Sequence, residues 1–260
     1  TPANFLSANP HFCKSALARY TPWHFIELVE RHRIAYHEKT LGQLFCDESA
    51  KLIVRMLLDE CAAAGVEVRT SAAVEQVDVA DDGRFQVRSS QGGFIASALV
   101  IASGGLSIPS LGGSGIGYAL ARQFGHTLLP TRAGLVPLTL SGRHQERLQD
   151  LSGVALPVEA SCNGRSFSEA MLFTHRGVSG PAILQISSYW HPGDTVQLDL
   201  LPGRDALDWL RGQQAQRPDA ELKTVLAEVL PRRFAVRLCE MWLPNKPMRQ
   251  YDPPQDRKST

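Results

Sequence analysis

Leu99–Ala102 is a short apolar run that stops at Ser103-Gly104-Gly105-Leu106-Ser107-Ile108-Pro109. A run this short, bounded by small residues and a proline, predicts a buried strand ending in a turn rich in exposed backbone. Glycines directly after such a strand let main-chain N–H groups approach a ligand that a side chain would push away. The carboxyl edge of a parallel sheet is also where open α/β folds bind their ligands. Downstream, Gly112-Gly113-Ser114-Gly115-Ile116-Gly117 opens an amphipathic segment, Tyr118–Phe124, closed by Gly125. A glycine loop at a helix start presents unpaired N–H groups and a positive dipole end, which suits an anion. A tight turn followed by a packed helix accounts for the same residues.

The flanking pattern is that of an α/β chain. Thr21-Pro22 is a helix start with a hydroxyl cap and a first-turn proline. Ile34–Lys39 alternates as a half-buried strand, and a helix runs from Ser49 to Ala64 with Ile53, Leu57, Leu58 and Cys61 as its core face. Val66–Arg69 is the next expected strand, and helix plus strand make half of a βαβ unit. Val74–Val79, Phe85–Arg88 and Phe94–Ala96, joined by glycine turns, predict an antiparallel meander. Later strands are expected at Leu135–Leu138, Val158–Cys162, Arg165–Phe167, Met171–Thr174 and Thr195–Leu200. Helices are expected at Ala182–Tyr189, Ala206–Gln216, Ala220–Leu230 and Pro231–Trp242.

Bulk properties narrow the function. With a net charge of +1, the chain lacks the basic footprint of a nucleic-acid or anionic-membrane binder. The expectation is therefore a small-molecule substrate, with no nucleic acid and no membrane. No apolar run approaches the roughly 20 residues of a membrane span. The start carries no signal-peptide pattern, and the five cysteines are scattered without a CxxC pair. These features predict reduced thiols and a cytoplasmic location. The missing initiator Met reads as an excised or processed piece.

Several chemistries lack their signatures. Gly113–Tyr118 has the wrong third-glycine spacing for a dinucleotide fingerprint. There is no Walker A loop, no GxSxG elbow and no HxxxH or HExxH spacing, so neither a serine hydrolase nor a metal site is expected. His37 and Lys39 share a strand face and read as surface groups. His175 and Arg176, expected just before a helix, pair a cation and an imidazole that could meet one anion; a surface turn is the alternative. Arg232-Arg233 reads as a solvated helix face.

Longer stretches are more specific. Asn4–Phe12, Tyr36–Lys39 with Leu41–Cys46, Ala102–His126, Leu135–Leu138 and Phe173–Leu184 resemble a family of bacterial FAD-dependent flavoproteins. Its members are described as NAD(P)/FAD-dependent or aminoacetone-oxidase-like oxidoreductases, with relatives assigned to bile-acid reduction. The resemblance runs through residues 4–245 in order. It implies an α/β fold: an incomplete glutathione-reductase-type Rossmann-like FAD domain with a β-meander, plus an inserted mostly-β domain and a helical segment. The implied divisions are 1–130, 131–203 and 204–250, with a disordered tail at 251–260. The implied cofactor contacts are Ala102, Ser103, Gly104 and Gly105, with Val74 on the adenine side. Gln43, Leu44, Phe45 and the loop Gly112, Gly115, Gly117 should lie near the flavin, and His175 and Arg176 are candidates to contact substrate or nicotinamide. Ser103 stands where the family usually has Thr, which keeps a hydroxyl.

The family's GxGxxG turn and its C-terminal return segment fall outside this sequence. The expectation is therefore an internal fragment that holds FAD weakly or not at all. The activity implied is hydride transfer between a small molecule or NAD(P)H and FAD. A flavin-dependent oxidase on the same fold, or a non-enzymatic nucleotide-binding or sensing module, are the alternatives.

Overall fold

The computed structural model describes residues 2–39 and 42–251. The chain divides into two compact units, Thr1–Pro130 and Thr131–Thr260. No helix among the described residues is long and apolar enough to cross a membrane. Of the tail expected to be disordered, 251–260, Tyr251 instead packs against the core of the second unit, its carbonyl accepting from Gln214 Nε2 at 2.7 Å, and 252–260 lie outside the described residues.

In the first unit, helices α1 (Lys14–Arg19) and α2 (Pro22–Arg31) precede a two-stranded antiparallel ribbon, β1 (Tyr36–Glu38) with β2 (Leu44–Cys46). Thr21 caps α2 through a reciprocal box with His24, as the Thr-Pro pair predicts. Helix α3 (Lys51–Ala63) follows, and a His32–Glu60 contact of 2.6 Å ties it to the end of α2. Its core face differs from the expectation: Met56 is buried, whereas Leu57 and Leu58 are exposed.

The meander is as the glycine turns predict, β3 (Val74–Val79), β4 (Phe85–Ser89) and β5 (Gly92–Ala96), antiparallel in sequence order. Helix α4 (Ile116–Gln123) packs on it: Gln123 Nε2 donates to the Val77 carbonyl at 2.6 Å, and Phe124 meets Phe85 edge-on.

The expected strands at 66–69 and 99–102 do not form. A buried strand needs a neighbour to take up its N–H and C=O groups. Among the described residues, no backbone hydrogen bond reaches Leu99–Gly105. Val100 is correspondingly 84% exposed.

The second unit is built on one five-stranded antiparallel sheet, in the order β10-β7-β8-β9-β6. The strands are β6 (Leu138–Thr139), β7 (Ala155–Cys162), β8 (Arg165–Thr174), β9 (Gly177–Ser179) and β10 (Gln197–Asp199). The β7–β8 hairpin turns at Asn163-Gly164, both at positive φ (49° and 72°), the backbone that a two-residue turn requires. Period-two alternation along β7 buries Leu156, Val158, Ala160 and Cys162. They join a core with helix α6 (Pro181–Ser187), and with α8 (Leu222–Leu226) and α9 (Arg232–Met241). The Phe173 and Phe234 rings meet there at 5.1 Å. Two further helices, α5 (Arg143–Leu148) and α7 (Ala206–Gln216), lie at the surface; α5 was not foreseen from the sequence.

Gly212, inside α7, has open space where a Cβ would stand. Gly212→Ala is expected to raise stability by about 0.5–1 kcal/mol, read as a higher urea midpoint.

Asp194 closes the far end of the hairpin. Its carboxylate accepts from Asn163 Nδ2 at 2.7 Å and from the His191 amide at 2.8 Å. The Asn163 hydrogen bond leads in holding the Asp194 carboxyl below the usual carboxylate range. A group lowered on folding stabilises the fold above its unfolded pKa, and the contribution is lost as pH falls through the folded value. Asp194→Asn should therefore lower Tm at neutral pH, and the gap from the wild type should narrow in acid. A gap that stays constant with pH would refute this role.

Candidate functional site

The glycine-rich loops of the first unit come together at the start of α4. A Cβ on Gly113 would lie 2.1 Å from the Ser107 carbonyl oxygen, so the loop at 105–107 rests directly on the backbone at 113. At Gly117 a Cβ would meet Ser103 Oγ at 3.2 Å, and at Gly105 it would meet the Tyr118 hydroxyl at 3.1 Å. These glycines are explained by close approach of backbone to backbone and of side chain to backbone. Gly104 has φ +73°, which turns the chain out of the 99–103 segment.

Beside these loops is a cleft of about 800 Å³ lined by Ser71–Val74, Leu99–Ser103, Gly112, Ser114 and Ile116, with Val77, Val87 and Leu120 at its base. Val77 and Leu120 are buried, so the floor belongs to the packed meander and α4. Of the expected cofactor contacts, Val74, Ala102, Ser103 and Gly112 share this cleft. Gly105 and Gly117 stand behind it as packing positions. Gly104 and Gly115 sit at its two loop bends.

Gln43, Leu44 and Phe45 are placed otherwise. Leu44 and Phe45 lie in β2; the carbonyl of Gln43, just before it, accepts from the Lys39 amide at 2.8 Å, and none of the three lines the cleft. On the β1–β2 ribbon Phe45 takes the Lys39 ammonium over its ring at 4.1 Å, and His37 Nδ1 meets Asp47 Oδ1 at 2.7 Å. The lining residues Ser71, Ala72 and Ala73 were missed. Their signal is the run of small side chains immediately before β3.

His175 and Arg176 form the exposed β8–β9 turn of the second unit. Strand β9 intervenes before α6, so the expected meeting with a helix start does not form. The second unit has its own apolar cleft, about 610 Å³, lined by Val136–Leu140, Val178, Trp190 and Val196 with Arg132 at its edge.

Comparison with known proteins decides the lineage. The HI0933-like protein Rossmann domain matches residues 1–183, and the HI0933-like protein barrel and H2TH domain matches residues 132–258. The chain belongs to the HI0933-like family. The mixed α/β fold, with a Rossmann-like part followed by a curled antiparallel sheet and helices, is the one the resemblance implied.

Within the HI0933-like family, the chain is 53% identical over 241 residues to the ribosomal RNA dihydrouridine synthase of Escherichia coli K12. That match covers 92% of this chain and 60% of the relative. The Haemophilus influenzae protein of the same name is 47% identical, over 94% of this chain and 60% of its own length. The 3-dehydro-bile acid delta(4,6)-reductase of Clostridium scindens is 28% identical over 75% of this chain and 50% of its own. The chain thus spans about 60% of the two ribosomal RNA relatives it matches. These HI0933-like relatives are named as enzymes, and the family is of flavoprotein type.

The relatives overturn one expectation. A small-molecule substrate and the absence of a nucleic-acid partner do not fit proteins named for a reaction on ribosomal RNA. The near-neutral net charge misled because it is a sum over the whole chain, in which locally paired charges cancel. It carries no information on where unpaired cations gather.

The cleft residues fit a flavin ring. The N–H groups of Ser103–Gly105 make no hydrogen bond within the described residues, and the loop is solvent-facing apart from the half-buried Gly105. Open main-chain donors beside an apolar floor of Val77, Val87 and Leu120 match a flat ring edged with carbonyl oxygens and nitrogens.

Proposed function

We propose that this chain belongs to a flavin-dependent reductase that saturates the C5–C6 double bond of a uracil base in ribosomal RNA. Dihydrouridine is uridine with a hydride added at one of these carbons and a proton at the other. FAD supplies the two-electron hydride chemistry when bound, and NAD(P)H is the donor that restores it. The residues that would hold the cofactor are Val74, Ala102, Ser103 and Gly112 of the cleft, with the open backbone N–H of Gly104 on the loop that continues from Ser103. They orient the ring and keep one face against apolar side chains, so that water is excluded there. Ribosomal RNA as substrate puts the protein in the cytoplasm.

The observation that carries this reading is the 53% identity to a ribosomal RNA dihydrouridine synthase, in a match that covers 92% of this chain. The test uses protein expressed from the complete gene. The purified enzyme should carry a yellow chromophore, consume NAD(P)H and place dihydrouridine in ribosomal RNA that lacks it. NAD(P)H oxidation that yields only hydrogen peroxide, whatever RNA is added, would favour the oxidase alternative and sink the proposal.

A further inference from the structure

The strand order of the second unit brings two basic segments to one end of the sheet. β9 lies between β8 and β6, and the Leu140 N–H donates to the Arg176 carbonyl at 2.9 Å. The β8–β9 turn, with His175 and Arg176, therefore runs beside the chain that enters α5 three residues later. On α5, Arg143 and Arg147 are one turn apart. All three arginines are exposed, and none has a carboxylate within ion-pair distance among the described residues. Arg211, Arg217, Arg237 and Arg249, by contrast, each meet an acidic partner. Glu146 is the one acidic residue within α5, so the segment keeps an excess of positive charge.

Leu140 has a second role. It lines the 610 Å³ apolar cleft together with Leu138, Val178 and Trp190, with Arg132 at the edge. A basic rim beside an apolar, tryptophan-bearing cleft combines what single-stranded RNA requires. The cations take the phosphates, and the cleft takes a base that has left its stack. Paired RNA needs no such cleft, because its bases stay inside the helix.

We propose that Arg143, Arg147 and Arg176 bind the phosphates of a single-stranded RNA segment, with one unstacked base in the adjoining cleft. The proposal rests on the RNA-substrate reading and assigns it a surface. The test is filter binding of labelled poly(U) by this chain at salt concentrations from about 50 to about 200 mM. The variants are R143Q/R147Q/R176Q and, as an equal charge removal elsewhere, R211Q/R217Q/R249Q. Circular dichroism checks that both are folded.

Losing three phosphate contacts on a single strand should flatten the log K against log salt slope by about 2. The control triple should leave the slope unchanged. Poly(U) containing 4-thiouridine should cross-link, on irradiation, to peptides from residues 132–147 or 175–198. An unchanged slope in the first triple, or cross-links confined to residues 1–130, would overturn the surface while leaving RNA as substrate intact. A wild-type chain that does not bind poly(U) overturns it as well, and the dihydrouridine assay with the complete gene product then decides separately whether RNA is the substrate.

Discussion

Gly177→Ala should unfold the second unit at much lower denaturant than the wild type. A Cβ at 177 would stand 2.2 Å from the Leu138 carbonyl oxygen and 2.9 Å from the Leu140 amide nitrogen. Both are backbone atoms of the neighbouring strand, and β9 is held between β8 and β6, so there is no flexible side chain to swing away. Relief requires parting β6 from β9, with loss of the Thr139–Gly177 pairing and of the Leu140–Arg176 hydrogen bond. The expected cost is about 3 kcal/mol, the upper end for overpacking a well-fitted site. The check is a urea titration followed by circular dichroism, in which the midpoint falls and the slope is kept. A variant as stable as the wild type would mean that β6 is not docked as described. Because Leu140 and Arg176 also frame the basic face, the same variant should weaken poly(U) binding even where it remains folded.

Gly113→Ala should strip the cofactor from the protein. Its Cβ would press on the Ser107 carbonyl at 2.1 Å and on the Gly105 carbonyl at 3.0 Å, so the 103–107 loop must lift away. The donors that loop presents at Ser103–Gly105 move with it. A tenfold loss of FAD affinity, about 1.4 kcal/mol, is the least expected, read as a lower flavin-to-protein ratio after purification from the complete gene. Gly83→Ala, on a meander turn with open space around the added Cβ, serves as the comparison, since its strain is local to that turn. Equal flavin content in the Gly113 variant and the wild type would remove the loop from the cofactor site.

Much of the fold could be read from local signals. The meander, the Asn163-Gly164 hairpin and the α2 start follow from turn and cap chemistry, which acts within a few residues. The segments at 66–69 and 99–102 could not be read in this way. Their composition suits buried strands, but a strand is completed by its neighbour, and none pairs with them among the described residues. Helix α3 shows a smaller version of the same limit: Met56, Leu57 and Leu58 are equally apolar, and tertiary packing chose Met56.

The site divides similarly. Small residues at 102–105 and 112–117 mark close backbone approach, and the structure brings those two loops together. The placement of Gln43–Phe45 on a separate ribbon depends on long-range packing that no spacing encodes. The basic face is least legible of all. Arg143 and Arg176 are far apart in sequence, and the β8-β9-β6 strand order brings together the segments that carry them, through the Leu140–Arg176 hydrogen bond. A net charge of +1 conceals them.

The reaction proposed for this chain is the reduction of uracil in ribosomal RNA. The most direct measurement deletes the encoding gene in its host and quantifies dihydrouridine in purified, transfer-RNA-free ribosomal RNA by mass spectrometry. The expected result is loss of dihydrouridine from that RNA, restored by the wild-type gene and not by the Gly113→Ala gene. Ribosomal RNA with the same dihydrouridine content before and after deletion would contradict it.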